Sequence, residues 1–309
     1  MPIDRLEPYM PEVTKRKLTD LLGREFLSRL DALDVVSRKI FQGKMQGERR
    51  SKRRGQSVEF ADHRPYAVGD DLRLIDWNTY ARLEQLFLKL FFEEQDLTIH
   101  VVMDASASVA EGSPPKELAL KKLAAALSYV GLVNNNRLTI SAFADGLVDQ
   151  LANLRGRPQV HRIADFLLSR DAGGTTDFDR ACRELETGRI GSGVMIVLSD
   201  FLFKGGFEGG LKRLASPRYD LYVIQLLSPQ EVEPSLAGDL KLVDVEDGDE
   251  AEVTISAALL KFYKRNLAAY CNELKAYCTK RGAAYVLTRS DQSVEALVLN
   301  YLRRRGLLK

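Results

Sequence analysis

Asp104, Ser106 and Ser108 follow one another at two-residue steps, directly after the apolar, β-branched run Leu97–Met103. Two further segments carry the same kind of atom. Gly173-Gly-Thr-Thr-Asp177 lies just before a helical pattern, and the apolar run Val194–Ser199 ends in Asp200. Brought to one place, they would supply two carboxylates and three hydroxyls. Oxygen donors without imidazole or thiolate select a hard cation, Mg²⁺ or else Mn²⁺ or Ca²⁺. Few carboxylates leave such an ion incompletely neutralised and with an open position. That suits capture of an external carboxylate better than activation of water, which calls for a general base close by.

The elements that must position these residues are strands alternating with helices. Leu97–Met103, Arg137–Phe143, Val194–Ser199, Leu221–Leu227 and Ala283–Thr288 read as strands buried on both faces. Between them, Pro115–Val133, Val160–Leu168, Thr176–Glu186, Ala257–Arg281 and Ser293–Arg304 read as helices, the third capped by Thr or Asp. This alternation predicts a doubly wound, mostly parallel α/β sheet flanked by helices, in which ligands bind beyond the carboxyl ends of the strands. Asp239–Val245 and Glu252–Ile255 predict a hairpin with Asp-Gly in its turn.

Before this core, Thr14–Phe41 reads as one amphipathic helix through Leu18, Leu21, Leu22, Phe26, Leu30, Leu33 and Val36. A basic stretch follows, and then a segment dense in aromatics and charge that ends in the strand-like run Leu86–Phe92. The expected organisation is an N-terminal helix and basic linker over 1–54, a polar segment over 55–96 packed on the core, and the α/β domain over 97–309 with a hairpin insertion near 239–255.

The site residues resemble the metal-ion-dependent adhesion site of von Willebrand factor A domains. The resemblance implies that Ser106, Ser108 and a threonine touch the metal, with Asp104 and Asp200 binding directly or through water. The family's threonine lies five residues before an alanine; Ala181 points to Thr176, with Thr175 as the second choice. A longer signature covers most of the chain. Gly55-Gln-Ser-Val-Glu-Phe60, His63-Arg-Pro-Tyr66, Gly69–Asn78, Ala81-Arg82 and the hairpin from Asp239 resemble the bacterial family called domain of unknown function 58. That resemblance implies a partner, a MoxR-type AAA+ ATPase, and a role as adaptor or chaperone-like assembly factor. The expected activity is therefore non-enzymatic, metal-dependent binding of a protein that presents an acidic residue.

Other features carry less. A polar loop that merely caps the next helix could also read Asp-x-Ser-x-Ser, and it is Thr176 and Asp200 that favour a metal. A metal-dependent phosphohydrolase or nuclease using Asp104 and Asp200 is the alternative. Against it, position 106 is Ser where the common aspartyl phosphatase pattern has a second Asp. His63, His100 and His161 fall in different elements with no neighbouring nucleophile, and His100 is expected to be a packed side chain. The run Lys44–Arg54 holds six basic residues against one acidic. It lacks aromatics for base stacking, so a solvated linker is favoured over a nucleic-acid arm. Arg64, Asp70, Asp71, Arg73 and Asp76 predict a charged network, with Trp77 packed against the sheet. Gly205-Gly206 and Gly209-Gly210 are expected to shape a loop near Asp200.

Composition sets the outer bounds. With 45% hydrophobic and 28% charged residues and a net charge of +2, the chain reads as an ordinary globular protein. An odd count of cysteines (Cys182, Cys271, Cys278) argues for a reducing compartment. The spacing of Cys271 and Cys278 fits core packing on a helix. Without a signal-peptide pattern or a run long enough to span a bilayer, the chain is expected to be cytoplasmic.

Overall fold

The computed structural model describes residues 17–37, 60–91, 97–187 and 193–309. Two compact units divide the chain, one made of residues 1–41 and 97–309, the other of 42–96. The basic run Lys44–Arg54, the signature residues 55–59 and the ends of the first expected helix lie outside the described residues.

The larger unit is built on six strands: β3 (Thr98–Asp104), β4 (Arg137–Ala144), β5 (Gly146–Arg155), β6 (Gly193–Ser199), β7 (Tyr219–Leu227) and β10 (Ala284–Arg289). Their order in the sheet is β10-β7-β6-β3-β4-β5, and every pairing is parallel except β4 with β5. The chain runs outward from β3 in one direction, then returns to place β6 on the other side of β3. That is the doubly wound arrangement expected of a von Willebrand factor A-like domain, and it puts the switch point between the carboxyl ends of β3 and β6.

Both faces of the sheet are covered, which is why its central strands read as near-continuous apolar runs. Along β3, Ile99, Val101 and Met103 face one core while Val102 faces the other. Strand β6 alternates likewise, with Val194, Ile196 and Leu198 opposite Met195 and Val197. Helices α1 (Thr19–Leu22), α2 (Arg24–Leu30), α4 (Lys116–Val133) and α5 (Val160–Leu168) fill the first core. Helices α6 (Phe178–Thr187), α7 (Glu208–Leu214) and α9 (Ala257–Lys280) fill the second. All three cysteines are buried in or beside this second layer, and burial pushes the Cys278 thiol up to about 12. Each large apolar side chain so buried contributes roughly 1.5–3 kcal/mol.

Four expectations for the larger unit need correction. The first helix is two short ones, α1 and α2, because Gly23 adopts φ +72° and ψ 156° and breaks the turn between them. The apolar positions read from its periodicity are nonetheless buried from Leu18 to Leu33. Strand β5 was not expected; it is an edge strand whose Asp149, Gln150, Asn153 and Arg155 hide its alternation. The last helix begins as α10 (Val294–Ala296) and continues as a π-helix over Leu297–Leu302. Gly209 and Gly210 lie within α7 rather than in a loop. A Cβ at Gly210 would sit 2.5 Å from the Phe178 ring, so close packing of α6 on α7 requires glycine there.

The hairpin forms as β8 (Gly238–Val243) and β9 (Glu250–Ile255), a separate two-stranded sheet. Among the described residues no helix is long and apolar enough to cross a membrane.

In the smaller unit, β1 (Phe60–Pro65) pairs antiparallel with β2 (Phe87–Phe91), and α3 (Trp77–Leu83) lies between them in the chain. The charged network is present. Asp76 caps α3 through the Asn78 and Thr79 amides and bonds His63 Nε2 at 2.7 Å, while Arg64 pairs with Asp70 and Arg73 with Asp71. The His63 bond, aided by Thr79 and Lys89, holds the Asp76 carboxyl well below the usual range. Trp77 does not pack on a sheet. It is 63% exposed and edge-on to Tyr80.

Candidate metal centre

Strand β3 ends on Asp104 and β6 on Ser199, so the parallel pairing of these two strands delivers both side chains to the switch point. Asp104 Oδ1 accepts from the Ser106 amide (2.9 Å) and the Ser106 hydroxyl (2.7 Å). Its Oδ2 accepts from Ser199 Oγ at 2.6 Å, and Ser199 in turn accepts from the Phe201 amide. Ser106 Oγ and Ser108 Oγ lie 3.0 Å apart. The two-residue beat read in the sequence therefore becomes a cluster of oxygens, with Asp104 and Ser106 fully buried and Ser108 at its accessible edge.

The loop with Thr176 is laced to this cluster. The Ala107 amide donates to Gly174 O (3.0 Å), Gly173 N to Ala105 O (2.9 Å), and Asp177 N to Ala144 O (3.0 Å). Asp177 also caps α6 through the Arg180 amide. Thr176 is half-buried at the end of this loop; Thr175 is exposed.

Asp200 sits on the other flank, also buried. Its Oδ1 accepts from the Leu202 amide (3.1 Å), and its Oδ2 pairs at 2.7 Å with Lys116 Nζ, which also bonds Glu231 of the short helix α8 (Pro229–Val232). Phe201 is held at φ +57°, a left-handed conformation costing roughly 1 kcal/mol or more for a bulky residue. Gln225 and Tyr270 clamp this bend by donating to the Asp200 and Phe201 carbonyls.

Burial and one buried ammonium set the charge at this site. Burial, with Asp200 facing it, pushes the Asp104 carboxyl above the ordinary carboxylate range, against the pull of its serine donors. Burial tends to lower the Lys116 pKa, but Asp200 and Glu231 outweigh it and hold the ammonium charged. Among the described residues no group of three His, Cys, Asp or Glu side chains is placed to hold a metal ion. A cation here must lean on hydroxyls and water, and the donor set of Ser106, Ser108 and Thr176 beside two carboxylates fits a hard ion on those terms.

The family model "Protein of unknown function DUF58" matches residues 62–273. The chain belongs to this family. The match spans both units, from the hairpin of the smaller one to the long helix α9 of the larger. Relatives of this DUF58 chain include the uncharacterized protein Rv1480 of Mycobacterium tuberculosis, 26% identical over 94% of this chain and 93% of the relative. The uncharacterized protein MAV169 of Mycobacterium avium is 30% identical over 38% of this chain and 69% of its own length. Among solved structures, the conserved hypothetical protein BatB from Bacteroides thetaiotaomicron is 14% identical, with a TM-score of 0.41 over 67% of this chain and 98% of that one. The SpRpn10 VWA domain is 11% identical, with a TM-score of 0.41 over 66% and 94%.

Two residues at the DUF58 site escaped the sequence reading. Lys116 carried a signal: it is a cation at the start of a helix, where the macrodipole disfavours it, which marks a local reason for its presence. Glu246, at the hairpin tip, accepts from the Thr176 hydroxyl (2.7 Å) and amide (3.0 Å). Seventy residues of chain separate that pair, and no local pattern announces it.

Proposed function

We propose that this protein is a non-enzymatic binding module whose switch-point oxygens hold Mg²⁺, and that it acts with a MoxR-type AAA+ ATPase as an adaptor or assembly factor. The observation that carries the reading is the hydroxyl cluster of Ser106 and Ser108 hung on the buried Asp104 carboxylate, with Thr176 and Asp200 on either side. Ser106, Ser108 and Thr176 would ligate the ion; Asp104, which orients the Ser106 hydroxyl, and Asp200 would bind it directly or through water. A bound ion with few anionic ligands supplies attraction for a carboxylate on a partner. Asp104 accepts hydrogen bonds at both oxygens, so its lone pairs are engaged with Ser106 and Ser199.

The ATPase partner rests on the family resemblance. A pull-down with the ATPase tests the whole reading. Capture by the wild type, lost with chelator and lost in a Asp104→Ala/Ser106→Ala double variant, is expected. Undiminished capture under both conditions would sink the metal-dependent mechanism.

A further inference from the structure

The β8–β9 hairpin makes a two-stranded sheet of its own, and most of β8 is exposed. An isolated pair of strands is marginal in water, so its tip contacts matter for where it sits. Those contacts fall on the Thr176 loop and on the segment that follows Asp200. On one side Glu246 engages Thr176 with both carboxylate oxygens. On the other, Asp244, Asp247 and Asp249 all pair with Lys204, four residues beyond Asp200. Lys204 draws the Asp244 and Asp247 carboxyls below their ordinary range. Within the turn, the Glu246 amide donates to Asp244 Oδ1 at 2.8 Å, which fixes the backbone from which Glu246 projects.

An acidic turn pinned by a lysine needs no further explanation. The carboxylate that leaves the lysine and meets the site's own threonine does. Three hydroxyls make a poorly neutralised seat for a divalent ion, and the ligand such an ion lacks is a carboxylate. Glu246 is a carboxylate already placed on one of those hydroxyls. Resting on the metal reading above, we propose that Glu246 is the site's own acidic ligand, and that an acidic partner engages by displacing the hairpin tip. The hairpin is then a built-in competitor that sets the threshold for partner binding. Apart from the two Glu246–Thr176 bonds, its hold is through largely exposed ion pairs, which are weak and salt-screened, so it can release without disturbing the core.

Mn²⁺ is a direct probe, because water-proton relaxation reports both its affinity and its exchangeable inner-sphere waters. Wild type and Glu246→Gln are titrated with Mn²⁺, then with acetate as the simplest external carboxylate. The expected result is about tenfold weaker Mn²⁺ binding by Glu246→Gln, as loss of a charged ligand implies. Its bound ion should show higher relaxivity, and acetate should suppress that relaxivity at lower concentration than in wild type. Hydrogen exchange at residues 244–249 should slow on adding Mn²⁺ to wild type only. Equal affinity and relaxivity in the two proteins would overturn this inference while leaving the metal site intact. Failure of wild type to bind Mn²⁺ at all would overturn both.

Discussion

Lys116 Nζ lies 2.7 Å from Asp200 Oδ2, and both side chains are almost wholly buried. A buried pair is a modest source of stability against an apolar alternative, but breaking it leaves a charge stranded. Asp200 would then face the buried Asp104 without a cation. The variant Lys116→Met is expected to lose about 3–5 kcal/mol of stability. Urea denaturation of the two proteins without added metal checks this, and coincident midpoints would contradict the role assigned to Lys116.

His100 should make the protein acid-sensitive. It is buried in β3, edge-on to Tyr219, with no hydrogen-bond partner for Nε2 among the described residues, and burial lowers its pKa to about 3. The unfolded chain takes up a proton near pH 6.5, while the folded chain does not until about pH 3. Stability contributed by the neutral ring is thus fully present above pH 6.5 and is lost as pH falls through that window, by about 1.4 kcal/mol per unit. His100→Phe keeps a ring against Tyr219 without a titrating group. Its stability measured from pH 7 to 4 should fall less steeply than that of wild type; parallel curves would refute the assignment.

Gly210 sets two effects against each other. Alanine gains roughly 1 kcal/mol of helix propensity in α7. Its Cβ, however, would meet Phe178 ring atoms at 2.5 Å, and that ring is stacked on Phe203 (4.8 Å) and edge-on to Phe201. Overpacking costs about 1–3 kcal/mol, and a ring held on two sides has little room to give. Gly210→Ala should therefore lower the thermal midpoint, although it improves the helix. A raised midpoint would mean that the aromatic cluster around Phe178 is looser than these contacts imply.

Much of the fold was legible because burial on both faces leaves a plain signature. The β3, β6 and β7 runs are buried almost throughout and mostly apolar, and helix Val160–Leu168 appears with the boundaries its periodicity implies. Strand β5 was hidden because an edge strand carries polar residues wherever it meets water. The break at Gly23 was hidden because the apolar spacing continues across it. At the candidate site, Asp104, Ser106 and Ser108 were legible as a short-range beat, and the structure joins them by hydrogen bonds. Lys116 and Glu246 were not, since each matters only through a partner 84 or 70 residues away.

Calorimetric titration of Mg²⁺ into the wild type and Asp104→Ala tests the central claim most directly. Asp104 orients Ser106 and carries buried charge at the centre of the oxygen cluster, so its loss should abolish the site while distant surfaces stay as they were. The prediction is saturable, one-to-one Mg²⁺ binding by the wild type and no measurable binding by Asp104→Ala at the same concentrations. No binding by the wild type, or binding that Asp104→Ala leaves unchanged, would contradict it.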